Sequence, residues 1–137
     1  LQPYDPKRIP VVFVHGLKSD THIWNNAVAA LLADPQLARR YQPILFLYPT
    51  GLSIPASAER LRSNLRQYRD FWDPEHDDPG MNNMIVVGHS MGGLLTRHQV
   101  TNPGTKLSRS FFEQPLDRVP WLTDDQLQRV RESLEFT

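Results

Sequence analysis

The fold of this chain is decided at residues 84–93, which read Met-Ile-Val-Val-Gly-His-Ser-Met-Gly-Gly. The first four residues form a short continuous apolar run, which predicts a strand buried on both faces of a parallel sheet. A helix is expected to start just after Ser90 and to end near Val100, because Asn-Pro-Gly follows at 102–104. The stretch therefore predicts a strand, a sharp corner and a helix, with Ser90 at the corner.

Glycine stands two positions before Ser90 and two positions after it. A serine on a sharp strand-to-helix corner projects its hydroxyl above the sheet, and the flanking positions then approach neighbouring backbone too closely for a Cβ atom. We therefore expect Gly88 and Gly92 to be sterically required, with His89 and Gly93 completing the corner. The helix N-terminus behind Ser90 favours negative charge developing in front of it, so the pattern predicts a nucleophile.

Two further apolar runs precede this one, at 10–14 and 44–48, and each ends at a glycine- or proline-containing turn. Between the runs lie segments with helical spacing of apolar residues, at 22–33 and from about 55 to 71. Strands that alternate with helices predict an α/β fold with three αβα layers, a parallel sheet and right-handed crossovers. We assign residues 9–104 to this βαβαβα core.

Residues 105–137 do not continue this alternation. The first part, 105–122, is predicted to be irregular, and its aromatic residues have two interpretations: a lid over a ligand pocket, or packing onto the sheet edge. Those aromatic residues are Phe111, Phe112 and Trp121. A capping box at 123–126 then predicts one short helix.

The motifs at 11–17 (Val-Val-Phe-Val-His-Gly-Leu) and 88–93, with Trp24 between them, resemble the α/β-hydrolase superfamily, in particular its lipase- and esterase-like members. The resemblance covers residues 9–100 well and 101–137 poorly. It implies an eight-stranded, mostly parallel sheet, of which the strands here would be the third, fourth and fifth, in the spatial order 4-3-5. Ligands of such sheets bind at the topological switch point between strands. The chain is thus expected to hold an incomplete α/β-hydrolase domain.

The resemblance also implies a reaction, the hydrolysis of carboxylic esters through an acyl-enzyme. Ser90 would attack the acyl carbon, and the backbone N–H groups of Leu17 and Met91 would hold the oxyanion. His15 and Gly16 would shape the loop that carries Leu17. The expected substrate is a small-molecule acyl ester, lipid-like esters first, and neither a cofactor nor a metal is implied.

The triad of this superfamily runs Ser, then Asp or Glu, then His along the chain. The last histidine here is His98, on the helix behind Ser90, so the acid and the histidine are expected beyond residue 137. This segment alone is then expected to be inactive. Two alternatives remain open: another polypeptide supplies the base, or catalysis is lost and the chain is a binding or scaffolding module. An incomplete sheet also leaves an apolar edge available for self-association.

Composition limits the other function classes. Lysine and arginine total 15 against 15 aspartate and glutamate residues, which gives no electrostatic basis for nucleic-acid binding. Cysteine is absent, so neither a disulfide framework nor a thiolate metal site is expected, and the compartment is not identified. The apolar runs are far shorter than the ~20 residues of a membrane span. Within the polar, turn-rich loop 73–83, the run Glu75-His76-Asp77-Asp78 is interpreted as a solvated acidic loop rather than a metal site.

Overall fold

The computed structural model describes residues 4–136. Within this range the strands are β1 (Ile9–Val14), β2 (Tyr41–Phe46) and β3 (Ile85–Gly88). They form a three-stranded parallel sheet in the order β2-β1-β3. The predicted α/β class with a parallel sheet is thereby confirmed.

The central strand β1 is apolar throughout and buried from Pro10 onward, as its position between two neighbours requires. Strand β2 begins at Tyr41, before the predicted start at residue 44. Pro43 lies inside β2, opposite Val11. A proline cannot donate to a sheet ladder, but β2 is an edge strand and tolerates it.

One face of the sheet is covered by α3 (Ile54–Trp72) and α5 (Met91–Arg97). Ser53 caps the start of α3 by accepting a hydrogen bond from the N–H of Ala56. The core lies between these helices and the sheet and consists of Val12, Val14, Phe46, Tyr48, Ala58, Leu61 and Leu95. Helix α5 ends before the predicted Val100, because the last N–H groups bond three residues back and tighten the turn.

The opposite face of the sheet is only partly covered. The predicted helix 22–33 is divided into a 3-10 turn, Thr21–Trp24, and α1 (Asn25–Ala33). The Trp24 ring packs on Phe13 with 5.0 Å between ring centroids. Leu45 pairs with Phe13, and Ile85 pairs with Val11, two residues before Phe13, so both side chains lie on the same face of the sheet as Phe13. These side chains are 43% and 40% exposed, respectively.

Two short helices were not predicted, α2 (Pro35–Arg40) and α4 (Pro79–Asn82). Each starts at an Asp-Pro pair. Asp34 and Asp78 accept hydrogen bonds from two backbone N–H groups of the first turn, and proline occupies the first helical position, where no N–H is needed. The acidic carboxylate of Asp78 therefore caps a helix within the loop 73–83.

The C-terminal part contains two helices, where one was predicted. These are α6 (Lys106–Phe112), in the segment expected to be irregular, and α7 (Asp124–Leu134), which packs against α3 and α6. The predicted capping box of Thr123 and Gln126 is present at the start of α7. Phe111 is 62% exposed and Trp121 is 68% exposed. Within residues 4–136, the helices are too short or too polar to cross a membrane.

Candidate functional site

Ser90 occupies a corner between a strand and a helix, as the sequence predicted for residues 84–100. Strand β3 ends at Gly88, and α5 begins at Met91. Ser90 has φ 55° and ψ −123°, a conformation that a residue with a Cβ adopts at a cost of about 1–3 kcal/mol. Its side chain is exposed. The corner therefore presents a strained, solvent-accessible hydroxyl at the carboxyl edge of the sheet.

Three backbone hydrogen bonds hold this corner. The N–H of His89 donates to the carbonyl of Val14 at 3.0 Å, which ties the corner to the end of β1. The N–H groups of Gly92 and Gly93 donate to the carbonyls of His89 and Ser90, both at 2.9 Å. The strain at Ser90 is thus supported by bonds on both sides of it.

Two of the glycines are required by close backbone approach. A Cβ atom on Gly88 would lie 2.4 Å from the carbonyl oxygen of Gly92. A Cβ atom on Gly92 would lie 2.3 Å from the carbonyl oxygen of Val14. At Gly93 the nearest atom is 3.6 Å away, an ordinary van der Waals distance. The steric requirement predicted for the motif thus holds at Gly88 and Gly92 and does not extend to Gly93.

The His15-Gly16-Leu17 loop lies directly against Ser90. A Cβ atom on Gly16 would be 3.0 Å from the Cβ of Ser90 and 3.2 Å from the carbonyl oxygen of His89. His15 is fully buried, and its Nδ1 lies 3.0 Å from the carbonyl oxygen of Gly16. His15 is thus placed to shape the loop and is shielded from solvent.

Two backbone N–H groups near the corner have no hydrogen-bond partner within residues 4–136. Met91 is the first residue of α5, and the first N–H groups of a helix have no intrahelical partner. Within residues 4–136, neither the Met91 N–H nor the Leu17 N–H makes a hydrogen bond. Leu17 directly follows Gly16, whose backbone lies beside Ser90, so the second group belongs to the loop next to the corner.

Tyr48 supports this loop and was missed as a site residue in the sequence. Its ring stacks on the His15 ring with 4.5 Å between centroids, and its hydroxyl donates to the His15 carbonyl at 2.8 Å. Nearby, the Lys18 N–H donates to Thr50 Oγ1 at 3.3 Å. The sequence position of Tyr48 could have indicated this role, because Tyr48 follows β2, His15 follows the neighbouring β1, and residues that follow neighbouring parallel strands meet at one edge of the sheet.

No histidine of residues 4–136 forms a hydrogen bond with the Ser90 hydroxyl. The exposed His89 faces the Trp24 ring edge-on, with 6.4 Å between centroids. His98 lies beyond the other end of α5, about 12 Å along the helix from Ser90, and its ring packs on Phe136. Burial, with the positive charges of Arg62 and Arg97, lowers the pKa of His98.

Each of the remaining histidines lies beside an exposed aspartate carboxylate. His22 is 2.8 Å from an Asp20 carboxylate oxygen, and His76 is 3.2 Å from one of Asp70. Both histidine side chains are exposed to solvent.

An apolar cavity of about 320 Å³ opens where α3 begins. Its walls come from the first turn of α3, the end of α6 and one side of α7, and include Pro55, Phe111, Phe112 and Val130. Ser90 does not line it. Since α3 follows the carboxyl end of β2, this cavity and Ser90 lie toward the same edge of the sheet.

The fold and the site together define an α/β protein that carries an exposed serine on a strained strand-to-helix corner, beside a glycine loop. No protein-family model, no curated protein and no solved structure matches the chain. Any function assigned to the corner therefore rests on its own geometry and chemistry.

Gly16→Ala is expected to reduce the reactivity of Ser90 about 10- to 100-fold while the protein stays folded, because the new methyl group displaces Ser90 by a fraction of an ångström. Gly51→Ala is the matched control, since a Cβ atom there meets no atom within 4 Å. Rates of covalent serine labelling and thermal unfolding should be measured together. Equal labelling rates for the two variants would contradict this contact.

Proposed function

We propose that Ser90 is the nucleophile of a serine hydrolase of the α/β-hydrolase type, acting on carboxylic esters. Its hydroxyl attacks the acyl carbon, the ester oxygen leaves with a proton, and water then releases the acid from the acylated serine. The Leu17 and Met91 N–H groups stabilise the oxyanion of each tetrahedral intermediate. The observation that carries the proposal is that Ser90 is exposed at φ 55° between Gly88 and Gly92, two positions where the backbone leaves no room for a Cβ atom.

The strand order supports this assignment. The β2-β1-β3 order is the one expected for the fourth, third and fifth strands of an α/β-hydrolase sheet. It places the His15-Gly16-Leu17 loop after the central strand and Ser90 after its neighbour. The two motifs then meet at the carboxyl edge, where ligands of open α/β sheets bind.

The apolar cavity supports a hydrophobic acyl group as part of the substrate. Phe111 and Phe112 contribute walls to it, and α6, which carries them, lies over the start of α3. In the proposal, residues 105–122 act as a lid, which is one of the two interpretations that the sequence left open. Lipid-like esters are accordingly the preferred substrate class.

The proposal requires a general base that residues 4–136 do not contribute. Without an imidazole to accept its proton, a serine hydroxyl is a weak nucleophile at neutral pH. In the proposed enzyme a histidine from outside these residues, oriented by an acid, approaches Ser90 from the open side of the corner.

Fluorophosphonate labelling tests the proposal, because these reagents modify serines that a base activates. The intact natural polypeptide containing this sequence should be labelled, and Ser90→Ala should remove the label. Ser110→Ala, which deletes an exposed hydroxyl on α6, should leave labelling unchanged. Labelling that persists in Ser90→Ala would refute the assignment.

Residues 1–137 alone are expected to hydrolyse p-nitrophenyl acyl esters at the background rate, because Ser90 lacks a base among the described residues. Release of p-nitrophenolate is the measurement. Turnover well above background that Ser90→Ala abolishes would reveal a base within these residues.

The partly covered sheet face favours a second candidate, a non-catalytic binding or scaffolding module. Leu45 and Ile85 expose apolar surface on this face, and β2 and β3 are the edges of the described sheet. This candidate predicts self-association that Leu45→Glu weakens, measured by sedimentation equilibrium, together with an intact natural polypeptide that fluorophosphonates do not label.

A further inference from the structure

A second cavity, of about 380 Å³, lies at the opposite edge of the sheet from Ser90. It is lined by Met84, just before β3, and by one side of α3, whereas Ser90 follows the other end of β3. Six residues of extended chain span roughly 20 Å, so the two features are separate. The floor of this cavity is apolar and is formed by Leu65, Met81, Met84 and Phe136.

Three arginines of α3, spaced to share one face of the helix, line the same cavity. They are Arg62, Arg66 and Arg69, and the other polar residues lining the cavity are neutral. The cavity thus combines an apolar floor with positive charge that no lining carboxylate balances. Arg62 and Arg66 also line the adjoining cavity, whose other walls carry the carboxylates of Glu59, Glu132 and Glu135.

The guanidinium groups of Arg62 and Arg66 retain unused hydrogen-bonding capacity. Arg62 donates through Nη1 to the Glu132 carbonyl at 3.1 Å and lies 3.6 Å above the Phe136 ring, but its buried Nη2 has no partner among residues 4–136. Arg66 is exposed and forms no ion pair within that range. Arg69 is already engaged, because its Nη2 donates to Asn82 Oδ1 and its Nε lies 3.9 Å from the buried Asp73 carboxylate, which balances its charge.

The charges of these arginines oppose one another. Burial, and then the neighbouring charge of Arg66, lowers the pKa of Arg62. A bound anion would reduce the repulsion between the positive charges, and its oxygens would accept hydrogen bonds from the unused N–H groups. Guanidinium groups match phosphate and carboxylate oxygens in bidentate geometry, which makes such anions their natural ligands.

We propose that this cavity binds a small amphiphilic anion, with a phosphate or carboxylate group against Arg62 and Arg66 and an apolar portion over Leu65 and Phe136. The cavity volume lies within the range of small-molecule sites. The site is independent of the reaction proposed at Ser90.

Isothermal titration of the full chain with octyl phosphate tests this site, with inorganic phosphate and octanol as comparators. Octyl phosphate should bind more tightly than either comparator, because it alone engages both the arginines and the apolar floor. Arg66→Gln should weaken its binding about tenfold. Arg60→Gln is the matched control, since Arg60 is exposed on the same helix and does not line the cavity.

Arg62→Lys provides a second variant, which keeps the charge but removes the guanidinium fork, and it should also weaken binding. Vesicles of phosphatidylcholine with phosphatidic acid separate the sources of the anion. Vesicle binding that depends on Arg66 identifies a lipid headgroup, and binding of soluble octyl phosphate alone identifies a free amphiphile. The proposal is overturned if octyl phosphate does not bind saturably, or if Arg66→Gln and Arg60→Gln bind it equally.

Discussion

Ser90→Ala is expected to lower kcat/KM for ester hydrolysis by about 10⁴- to 10⁶-fold in the intact polypeptide that carries the base. The substitution removes the atom that would form the acyl-enzyme, and the oxyanion N–H groups alone supply only a small part of the acceleration. Initial rates on a p-nitrophenyl acyl ester, with active-site titration, provide the measurement.

The Ser90→Ala protein should remain folded. Position 90 is exposed, and the Ser90 hydroxyl that the substitution removes makes no hydrogen bond in the described part of the chain. Unchanged thermal unfolding beside a lost activity would assign the effect to chemistry. Retention of more than a tenth of the activity would show that Ser90 is not the nucleophile.

Gly92→Ala is expected to destabilise the protein by at least about 3 kcal/mol, enough to leave much of it unfolded or insoluble. The added Cβ atom would lie 2.3 Å from the Val14 carbonyl oxygen and 2.6 Å from that of His15. Both contacts are with backbone, at the last residue of the central strand and at the residue that follows it, and this backbone cannot move without disturbing the sheet. Urea unfolding and soluble yield provide the measurements.

Gly93→Ala is the matched control for Gly92→Ala. It adds the same atom one residue later in α5, at an ordinary 3.6 Å from its nearest neighbour. Alanine in a helix is favoured over glycine by about 0.5–1 kcal/mol, so this variant should be neutral or more stable than the parent. Equal stabilities for the two variants would contradict the packing of α5 on β1.

The strands and the serine corner could be predicted because their causes are local. A continuous apolar run such as residues 11–14 is stable only where both faces of a strand are covered, and paired glycines around Ser90 have few other structural explanations. The α/β class and the path from strand to corner to helix followed from these two features. Strand boundaries were less certain, since Pro43 is compatible with β2 only because β2 lies at an edge.

The short helices were missed for a different reason. At 34–35 and 78–79 an aspartate cap precedes a proline, a strong local start signal, but four to six residues carry too little apolar periodicity to be recognised. Helix α6 has no side-chain cap at Thr105, so its start left no such signal.

Contacts between distant segments could not be predicted from the sequence. Nothing in the residue types alone places the Tyr48 hydroxyl on the His15 carbonyl or Gly16 against Ser90. The arginine-lined cavity has the same origin, because α3 supplies its charges while Met84 and Phe136 arrive from other parts of the chain. Such arrangements depend on how the helices pack on the sheet.

Locating the covalent acyl group during turnover shows whether Ser90 is the nucleophile. The intact polypeptide should be quenched in acid during turnover of an acyl ester, digested with trypsin and examined by mass spectrometry. Trypsin releases residues 70–97 as one peptide, in which Ser90 is the sole serine. The acyl mass should appear on this peptide, at Ser90, and should be missing from the Ser90→Ala protein. An acyl group found on another residue, or turnover without any acyl adduct, would show that Ser90 is not the nucleophile.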